Sequence, residues 1–367
     1  MEAASLRAGR VFGVLNMLKP SGMTSHDVVS HVRRLTGGIK AGHGGTLDPG
    51  AAGVLPVALG SSTRLLEYCL GWDKEYVAEI TFGVSTSSDD AQGTILSETP
   101  AEWLTERDVT SALSRIAERR EQRPPRVCAL KYEGKRLYRL AAQKESVPLE
   151  PRPVMIYRME VKRWEPGPRP RAVIKVICSH GTYIRSIARD AGEELGVGAH
   201  VSFLVRTRSG RFSVDKAITL EELEEEMAKG GLPGLERILM DPAEVLDYMP
   251  AVKLDRRGFM LASNGSLASR NHIVEWLGPV CPCVPVYPNT EEKRSVPGKT
   301  YAYPSYGPRD ILSGGGLPGG ARNEGALGMT GSERLVNVRL LSEDGAFFGV
   351  GCVDHAGRVR PLKITNR

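Results

Sequence analysis

Apolar and polar positions recur along the first 250 residues in a way that predicts short strands interleaved with amphipathic helices. Val11 to Leu18 reads as a strand and stops at Lys19-Pro20-Ser21-Gly22, a turn signal. Thr24 and Asp27 then have the spacing of a capping box, with Val28, Val29, Val32 and Leu35 along one helix face and Thr36-Gly37-Gly38 as the stop. Val54 to Leu59 is apolar enough for a buried strand. Ser61 or Ser62 caps a predicted helix to Tyr68, and Tyr76 to Phe82 predicts a further strand. Thr105 with Asp108 repeats the capping-box spacing before Val109, Leu113 and Ile116. Strands follow at 154–164 and 172–179, then a helix opened by Thr182 that carries Ile184, Ile187, Ala188, Ala191 and Leu195. Thr219 and Glu222 open an acidic helix to about residue 228. There is no regular βαβ repeat and no Rossmann or Walker glycine pattern, so residues 1–250 are expected to form an α+β domain.

Beyond that point the pattern changes twice. Leu335 to Leu341 and Ala346 to Val353 predict two strands joined by the turn Ser342-Glu343-Asp344-Gly345. With Ala251 to Leu267 they suggest a small β domain over 251–367. It is interrupted at about 278–331, where 54 residues hold 11 glycines and 8 prolines and a flexible insertion is expected.

Composition narrows the class. The 367 residues are 41% hydrophobic and 25% charged, values of a globular protein. No run reaches the roughly 18 apolar residues of a membrane helix, and Met1 to Arg10 lacks the apolar core of a signal peptide. The six cysteines are scattered, and Cys281-Pro-Cys283 has the wrong spacing for a metal knuckle. A reduced, cytoplasmic setting without structural zinc is the expectation. The net charge of +6 hides an asymmetry: residues 1–100 carry −2, residues 101–220 carry +10 and residues 221–367 carry −2. Such a local excess fits a polyanion partner and, on charge alone, fits a solvated basic face about equally well.

One loop invites chemistry. Gly42-His43-Gly44-Gly45-Thr46-Leu47-Asp48-Pro49 contains only two ionisable groups, His43 and Asp48, among residues that let backbone approach a ligand. Pro49 biases Asp48 toward an extended conformation. An Asp-Pro-Gly surface turn is the plainer explanation, yet Gly53-Val54-Leu55-Pro56-Val57 ties this loop straight to buried structure. A carboxylate there needs a cationic partner to stay ionised and nucleophilic. Gly181-Thr182-Tyr183-Ile184-Arg185 offers Arg185, with Arg189 one turn further along, unless both are simply solvated.

Together these segments resemble the TruB family of tRNA pseudouridine-55 synthases, from about Val11 to Leu223. The carriers are Asn16-Met17-Leu18-Lys19-Pro20-Ser21-Gly22-Met23-Thr24-Ser25, the Gly42–Pro49 loop, Lys74-Glu75-Tyr76, and the run from Ala129 to Tyr138. Gly181-Thr182-Tyr183-Ile184-Arg185-Ser186 and Gly198-Ala199-His200-Val201 complete them. Departures lie on the flanks, at Leu18, Arg64, Cys128 and His180. The resemblance implies a pseudouridine synthase fold, a mixed and mainly antiparallel sheet flanked by helices, with a small C-terminal PUA-like β domain. It implies Asp48 as nucleophile, Tyr76 as a base that packs on the uracil, and Arg185 as the partner of Asp48. His43 would help hold the flipped nucleotide, Tyr183 and Leu204 would contact the base, and Lys19 would support the site.

The implied reaction breaks the N1–C1′ bond of uridine 55 in the T-loop, turns the uracil and joins C5 to C1′. It needs a dry pocket and a flipped base, and neither a metal nor an organic cofactor. The implied partner is the T-loop and stem of a tRNA, met by a monomer. Nine basic and three acidic residues between Arg115 and Arg139 would line its phosphates. A non-catalytic RNA-binding factor and a nucleoside hydrolase-like enzyme are the competing classes. The first has no need for Asp48, Tyr76 and Arg185 together, and the second has no use for the basic stretch.

Overall fold

The computed structural model describes residues 11–128, 149–278 and 335–365, with the short strands Lys131–Tyr132 and Lys135–Arg136. The expected insertion at 278–331, apart from Gly278, lies outside the described residues, as does most of the Ala129–Tyr138 run.

An eight-stranded sheet organises the chain. Its strands are β1 (Gly13–Lys19), β2 (Ala41–His43), β3 (Ala52–Leu59), β4 (Lys74–Phe82), β11 (Ile156–Glu165), β12 (Arg171–Cys178), β13 (Ala199–Ser209) and β14 (Phe212–Ser213). The main order is β1-β3-β13-β4-β12-β11, with β2 beside β3 and β14 beside β13. Every pairing is antiparallel except β3 with β13, where Ala52 meets Val205 and Gly53 meets Arg206. Three two-stranded ribbons, β5 (Val84–Thr86) with β6 (Ile95–Glu98), β7 (Glu121–Gln122) with β10 (Arg152–Pro153), and β8 (Lys131–Tyr132) with β9 (Lys135–Arg136), decorate it.

Strand alternation decides which side is covered. Tyr76, Ala78, Ile80 and Phe82 of β4 share one face. Arg206, Leu204 and Val201 of β13 stand opposite the first three, and Val176, Ile174 and Ala172 of β12 lie on their other side. Two helices cover this face, α3 (Glu106–Ala117) with Val109, Leu113 and Ile116, and α4 (Ile184–Glu194) with Ile184, Ile187, Ala188 and Ala191. At the β1 end, α1 (Ser25–Leu35) and α5 (Leu220–Ile238) close a second core around Leu15, Met17 and Leu55. The capping boxes at Thr24/Asp27, Thr105/Asp108 and Thr219/Glu222 are all formed. The mixed, mainly antiparallel sheet with flanking helices is the expected fold class.

Several local expectations need correction. Helix α4 begins at Ile184 with Tyr183 as its N-cap, not at Thr182, and no side chain caps it. Neither Ser61 nor Ser62 caps a helix. A 3-10 turn, Gly60–Leu65, leads into the short α2 (Leu66–Leu70), and the buried Ser62 hydroxyl has no partner among the described residues. The acidic helix expected to about residue 228 is the first part of α5, and beyond the kink at Gly231, φ 55°, a second helical segment runs on to Ile238.

The C-terminal region folds as a five-stranded sheet ordered β16-β15-β17-β18-β19: β15 (Ala251–Leu254), β16 (Ile273–Leu277), β17 (Val336–Leu341), β18 (Phe347–Val353) and β19 (Val359–Ile364). Within the 251–267 segment assigned to a β domain, only Ala251–Leu254 is strand. Asp255 accepts from the Gly258 amide at 2.6 Å and so starts α7 (Arg256–Ser263), while α6 (Pro242–Val245) precedes the sheet. This sheet has its own core around Val252, Leu254, Val338, Leu340 and Phe348. A further cluster joins it to the main sheet, uniting Val14, Val54 and Phe212 with Ala251, Phe347 and Val350. Among the described residues no helix is long and apolar enough to cross a membrane.

Candidate active site

The loop that carries Asp48 connects β2 to β3, and its backbone is held from three sides. The Ser25 hydroxyl donates to the Leu47 carbonyl at 3.1 Å and accepts from the Leu47 amide at 2.8 Å. Lys19, fully buried, donates to the carbonyls of Pro20, Met23 and Pro49 at 2.8, 2.6 and 3.3 Å. Arg206, 1% exposed, spans the carbonyls of Val54, Thr46 and Gly45 at 2.8, 3.3 and 3.2 Å. Gly53 lets the Arg206 backbone lie close against β3. Its φ is +117°, and a Cβ there would lie 2.2 Å from the Arg206 carbonyl oxygen. A loop with almost no side chains of its own is thereby fixed through its carbonyl groups.

Asp48 meets Arg185. The guanidinium Nε donates to Asp48 Oδ2 at 2.9 Å, and Arg185 is 4% exposed against 32% for the Asp48 side chain. The rest of the guanidinium is taken up as well: one terminal nitrogen donates to the Ser88 carbonyl at 2.8 Å, the other to the Val127 carbonyl at 2.9 Å, and Asp90 lies 3.6 Å away. Burial of a charge without partners is costly, so this full set explains how the arginine stays inside. Arg189 sits one turn on. It pairs with Asp89 at 3.2 Å and Asp190 at 2.8 Å, and donates to the Arg123 carbonyl at 2.9 Å. Neither arginine is simply solvated.

The other sequence-picked residues lie around this pair. Arg206 and Tyr76 are cross-strand neighbours, and Leu204, 8% exposed, is the neighbour of Ala78 two positions along the same strands. Burial pushes the Tyr76 phenol above its ordinary pKa, while the charge of Arg206 and its hydrogen bond to the hydroxyl pull it down. Tyr183 lies close enough to feel both Cys128 and Asp48, and its phenol is likewise raised, chiefly by burial. Burial and then Arg206 lower the His43 imidazole, which stays neutral at pH 7. Its Nδ1 has no hydrogen-bond partner among the described residues. Burial also pushes Lys19 down to about 8, with Asp48 opposing the shift. The arrangement is a carboxylate beside a buried guanidinium, walled by two phenols and a leucine. Among the described residues, no group of three or more His, Cys, Asp or Glu side chains is placed to hold a metal ion.

Residues 33–184 match the sequence model of the TruB family pseudouridylate synthase N-terminal domain. Residues 185–246 match that of the tRNA pseudouridylate synthase B C-terminal domain. The two matches take in more than half of the chain, including every site residue above except Lys19 and Ser25. The chain belongs to the TruB family. Curated relatives agree. The tRNA pseudouridine synthase B of Symbiobacterium thermophilum is 53% identical over 256 residues, 70% of this chain and 83% of that one. That of Pelotomaculum thermopropionicum is 46% identical over 256 residues, 68% and 81% of the two chains. TruB is an isomerase family, and this TruB chain is a pseudouridine synthase. Among solved structures it is similar to a Cbf5-Nop10-Gar1 complex, with a TM-score of 0.65 and 23% identity over 99% of this chain and 87% of that one. It is also similar to an H/ACA RNP bound to a substrate RNA containing 2'-deoxyuridine, at 0.63 and 22% over 97% and 86%. These likenesses show the pseudouridine synthase fold. The C-terminal family match ends at 246, before the five-stranded sheet of this TruB chain begins.

Sequence reasoning overlooked several groups that this TruB site depends on. Arg206 interrupts the apolar run of β13, which was a readable signal for a buried cation. Ser88, Asp89 and Asp90 sit in the turn between β5 and β6. Asp89 has φ 60°, the one positive-φ residue other than glycine among those described, and the sequence Ser87-Ser88-Asp89-Asp90 marked a polar turn without showing what it touched. Gln122 gave no signal at all. The basic stretch is also thinner than its count: Arg115 and Arg119 are tied to Glu194, and Arg119 to Asp190, which leaves Arg120, Arg123 and Arg126 exposed.

Proposed function

We propose that this pseudouridine synthase isomerises uridine 55 in the T-loop of tRNA, with Asp48 as the nucleophile acting on a flipped-out nucleotide. The observation that carries this reading is the 2.9 Å contact between Asp48 and an otherwise saturated, buried Arg185. The guanidinium gives the carboxylate an ion-pair partner at the edge of an apolar wall, and the loop around it offers no side chain that competes.

The chemistry follows from the neighbours. Asp48 acts at the ribose as the N1–C1′ bond breaks, by attack at C1′ or by assisting a glycal. The uracil turns, C5 bonds to C1′, the N1 freed from the ribose takes up a proton and the C5 proton leaves, so that substrate and product have the same atoms. Tyr76 packs on the uracil and receives that proton. Burial favours its protonated form, and Arg206 beside the hydroxyl works against that shift. Leu204 and Tyr183 bound the base and exclude water, which would otherwise release free uracil. His43, neutral and with an unpaired Nδ1, offers a hydrogen bond to the flipped nucleotide, and Lys19 holds the loop from beneath. On this reading residues 1–250 form the catalytic domain and 251–367 a PUA-like β domain. The protein works as a monomer in the cytoplasm and without a cofactor, on the T-loop and stem.

The test is tritium release from tRNA labelled at C5 of uridine. Asp48→Asn should lose turnover entirely while RNA affinity stays within about threefold, because phosphate contacts supply most of the binding. Pseudouridine formed by that variant, or free uracil released by the wild type, would sink the mechanism. In cells lacking the protein, position 55 should read as uridine.

A further inference from the structure

Helix α4 starts in an unusual way. Its N-cap is Tyr183, whose side chain cannot reach back to the first-turn amides as Ser, Thr, Asp or Asn would, and no side chain caps the helix from within. The half-buried backbone of Tyr183 is instead paired by a residue 61 positions earlier. Gln122, 6% exposed, accepts from the Tyr183 amide at 2.8 Å through Oε1 and donates to the Tyr183 carbonyl at 3.0 Å through Nε2. One carboxamide meets both groups, and the carbonyl also accepts from the Ile187 amide at 3.3 Å.

The segment that carries Gln122 is fastened to the same helix along its length. The Ser186 hydroxyl donates to the Arg123 carbonyl at 2.8 Å, Arg189 donates to the carbonyls of Arg123 and Pro124 at 2.9 and 3.5 Å, and Arg185 donates to that of Val127 at 2.9 Å. Pairing of β7 with β10 pins it from the other side. Among these ties the Gln122 pair alone acts on Tyr183 directly, and it sits two residues before Arg185.

We infer that Gln122 is a positioning residue for pseudouridine formation: its carboxamide fixes the start of helix α4 and so sets where the Tyr183 phenol and the Arg185 guanidinium stand relative to Asp48. The inference rests on the reading in which Tyr183 bounds the base and Arg185 serves Asp48. Errors of about 1 Å in such a group cost up to about a hundredfold in rate. Loss of the carboxamide frees the phenol and loosens the arginine but removes no contact to RNA, so the effect falls on the chemical step.

The experiment compares wild type, Gln122→Met and Thr105→Ala on tRNA under single-turnover conditions, with RNA affinity and melting temperature measured for each. Methionine keeps the length of glutamine and loses both hydrogen bonds. Thr105→Ala removes the capping box of α3, well away from the site, and serves as a stability-matched control. Gln122→Met should lower the rate constant about tenfold with affinity within about twofold. Thr105→Ala should keep the wild-type rate despite a lower melting temperature. Gln122→Glu, which keeps the acceptor and loses the donor, should fall between. A Gln122→Met rate equal to wild type, a loss confined to RNA affinity, or equal rate losses in Gln122→Met and Thr105→Ala would each overturn the inference. A wild-type chain that converts no uridine in tRNA would overturn the underlying reading together with it. A failure limited to the variant overturns the inference alone.

Discussion

Arg185 can be replaced by no other residue without leaving something unpaired. Its planar fork serves Asp48, the Ser88 carbonyl and the Val127 carbonyl at once, and it is 4% exposed. Lysine has the charge but not the fork. Arg185→Lys should therefore strand at least one buried carbonyl and shift the partner of Asp48. We expect at least about a hundredfold loss of turnover and about 3 kcal/mol of stability, the second read from urea unfolding. Near-wild-type turnover would show that charge alone suffices. Lys19 makes a prediction of the opposite kind, about pH. It titrates at about 8 in the folded chain against 10.5 ordinarily. Between those values the unfolded chain holds more protons than the folded one, so this residue makes stability rise with pH. Below about 8 both states carry the proton, and the folded state bears the full cost of the buried ammonium. Wild type should gain on Lys19→Met as pH climbs from 8 to 10.5, measured from urea midpoints. A constant gap would mean that the ammonium is not desolvated as the structure indicates.

At the scale of elements, local signals were readable and distant ones were not. The three capping boxes could be read because both partners lie within one turn, and the alternation of β4 because one face is buried. The start of α4 was misplaced at Thr182 because no side chain caps it, and the Tyr183 backbone is held instead by Gln122, which no window around residue 183 contains. Helix α7, inside the 251–267 segment assigned to a β domain, was missed because Asp255 went unnoticed as its cap. Asp48 and Arg185 were both picked out, yet the Arg206 brace under the loop was not. Its carbonyl partners lie about 150 residues away, across the parallel junction of β3 with β13. Gly53 is the hinge of that junction. Gly53→Ala would have to drive a methyl against the Arg206 backbone at a φ of +117°. A cost of about 3 kcal/mol or more should appear as a lowered urea midpoint, with turnover falling together with it. A fully stable Gly53→Ala protein would mean that the two strands can separate without harm.

For the whole molecule, the middle-third excess of +10 has to be divided before it predicts anything. Arg185, Arg189 and Arg206 belong to the site and its braces, and Arg115 and Arg119 are held by Glu194 and Asp190. The side chains of Arg136 and Arg139, expected to touch phosphates, lie outside the described residues. Exposed next to the site are Arg120, Arg123 and Arg126, on the segment whose carbonyls clasp α4, with Arg152 beside them on β10. An RNA that presents a base to Asp48 must pass this edge, and three free guanidinium groups there face no internal acid in the salt bridges of the described residues. Each phosphate contact removed should lower the slope of log affinity against log salt by about 0.7 to 0.9. The triple variant Arg120→Ala, Arg123→Ala, Arg126→Ala should thus flatten the slope by about 2 and weaken tRNA binding at low salt. Turnover at saturating tRNA should stay close to wild type, since none of the three side chains reaches Asp48. Arg115→Ala with Arg119→Ala should leave the slope nearly unchanged, because those charges are already spent on Glu194. If the two variants changed the slope equally, location would not matter and the basic excess would be a general attraction. If only the triple variant does, the path of the RNA runs over the segment that also positions Tyr183 and Arg185, and binding and chemistry meet on one strap.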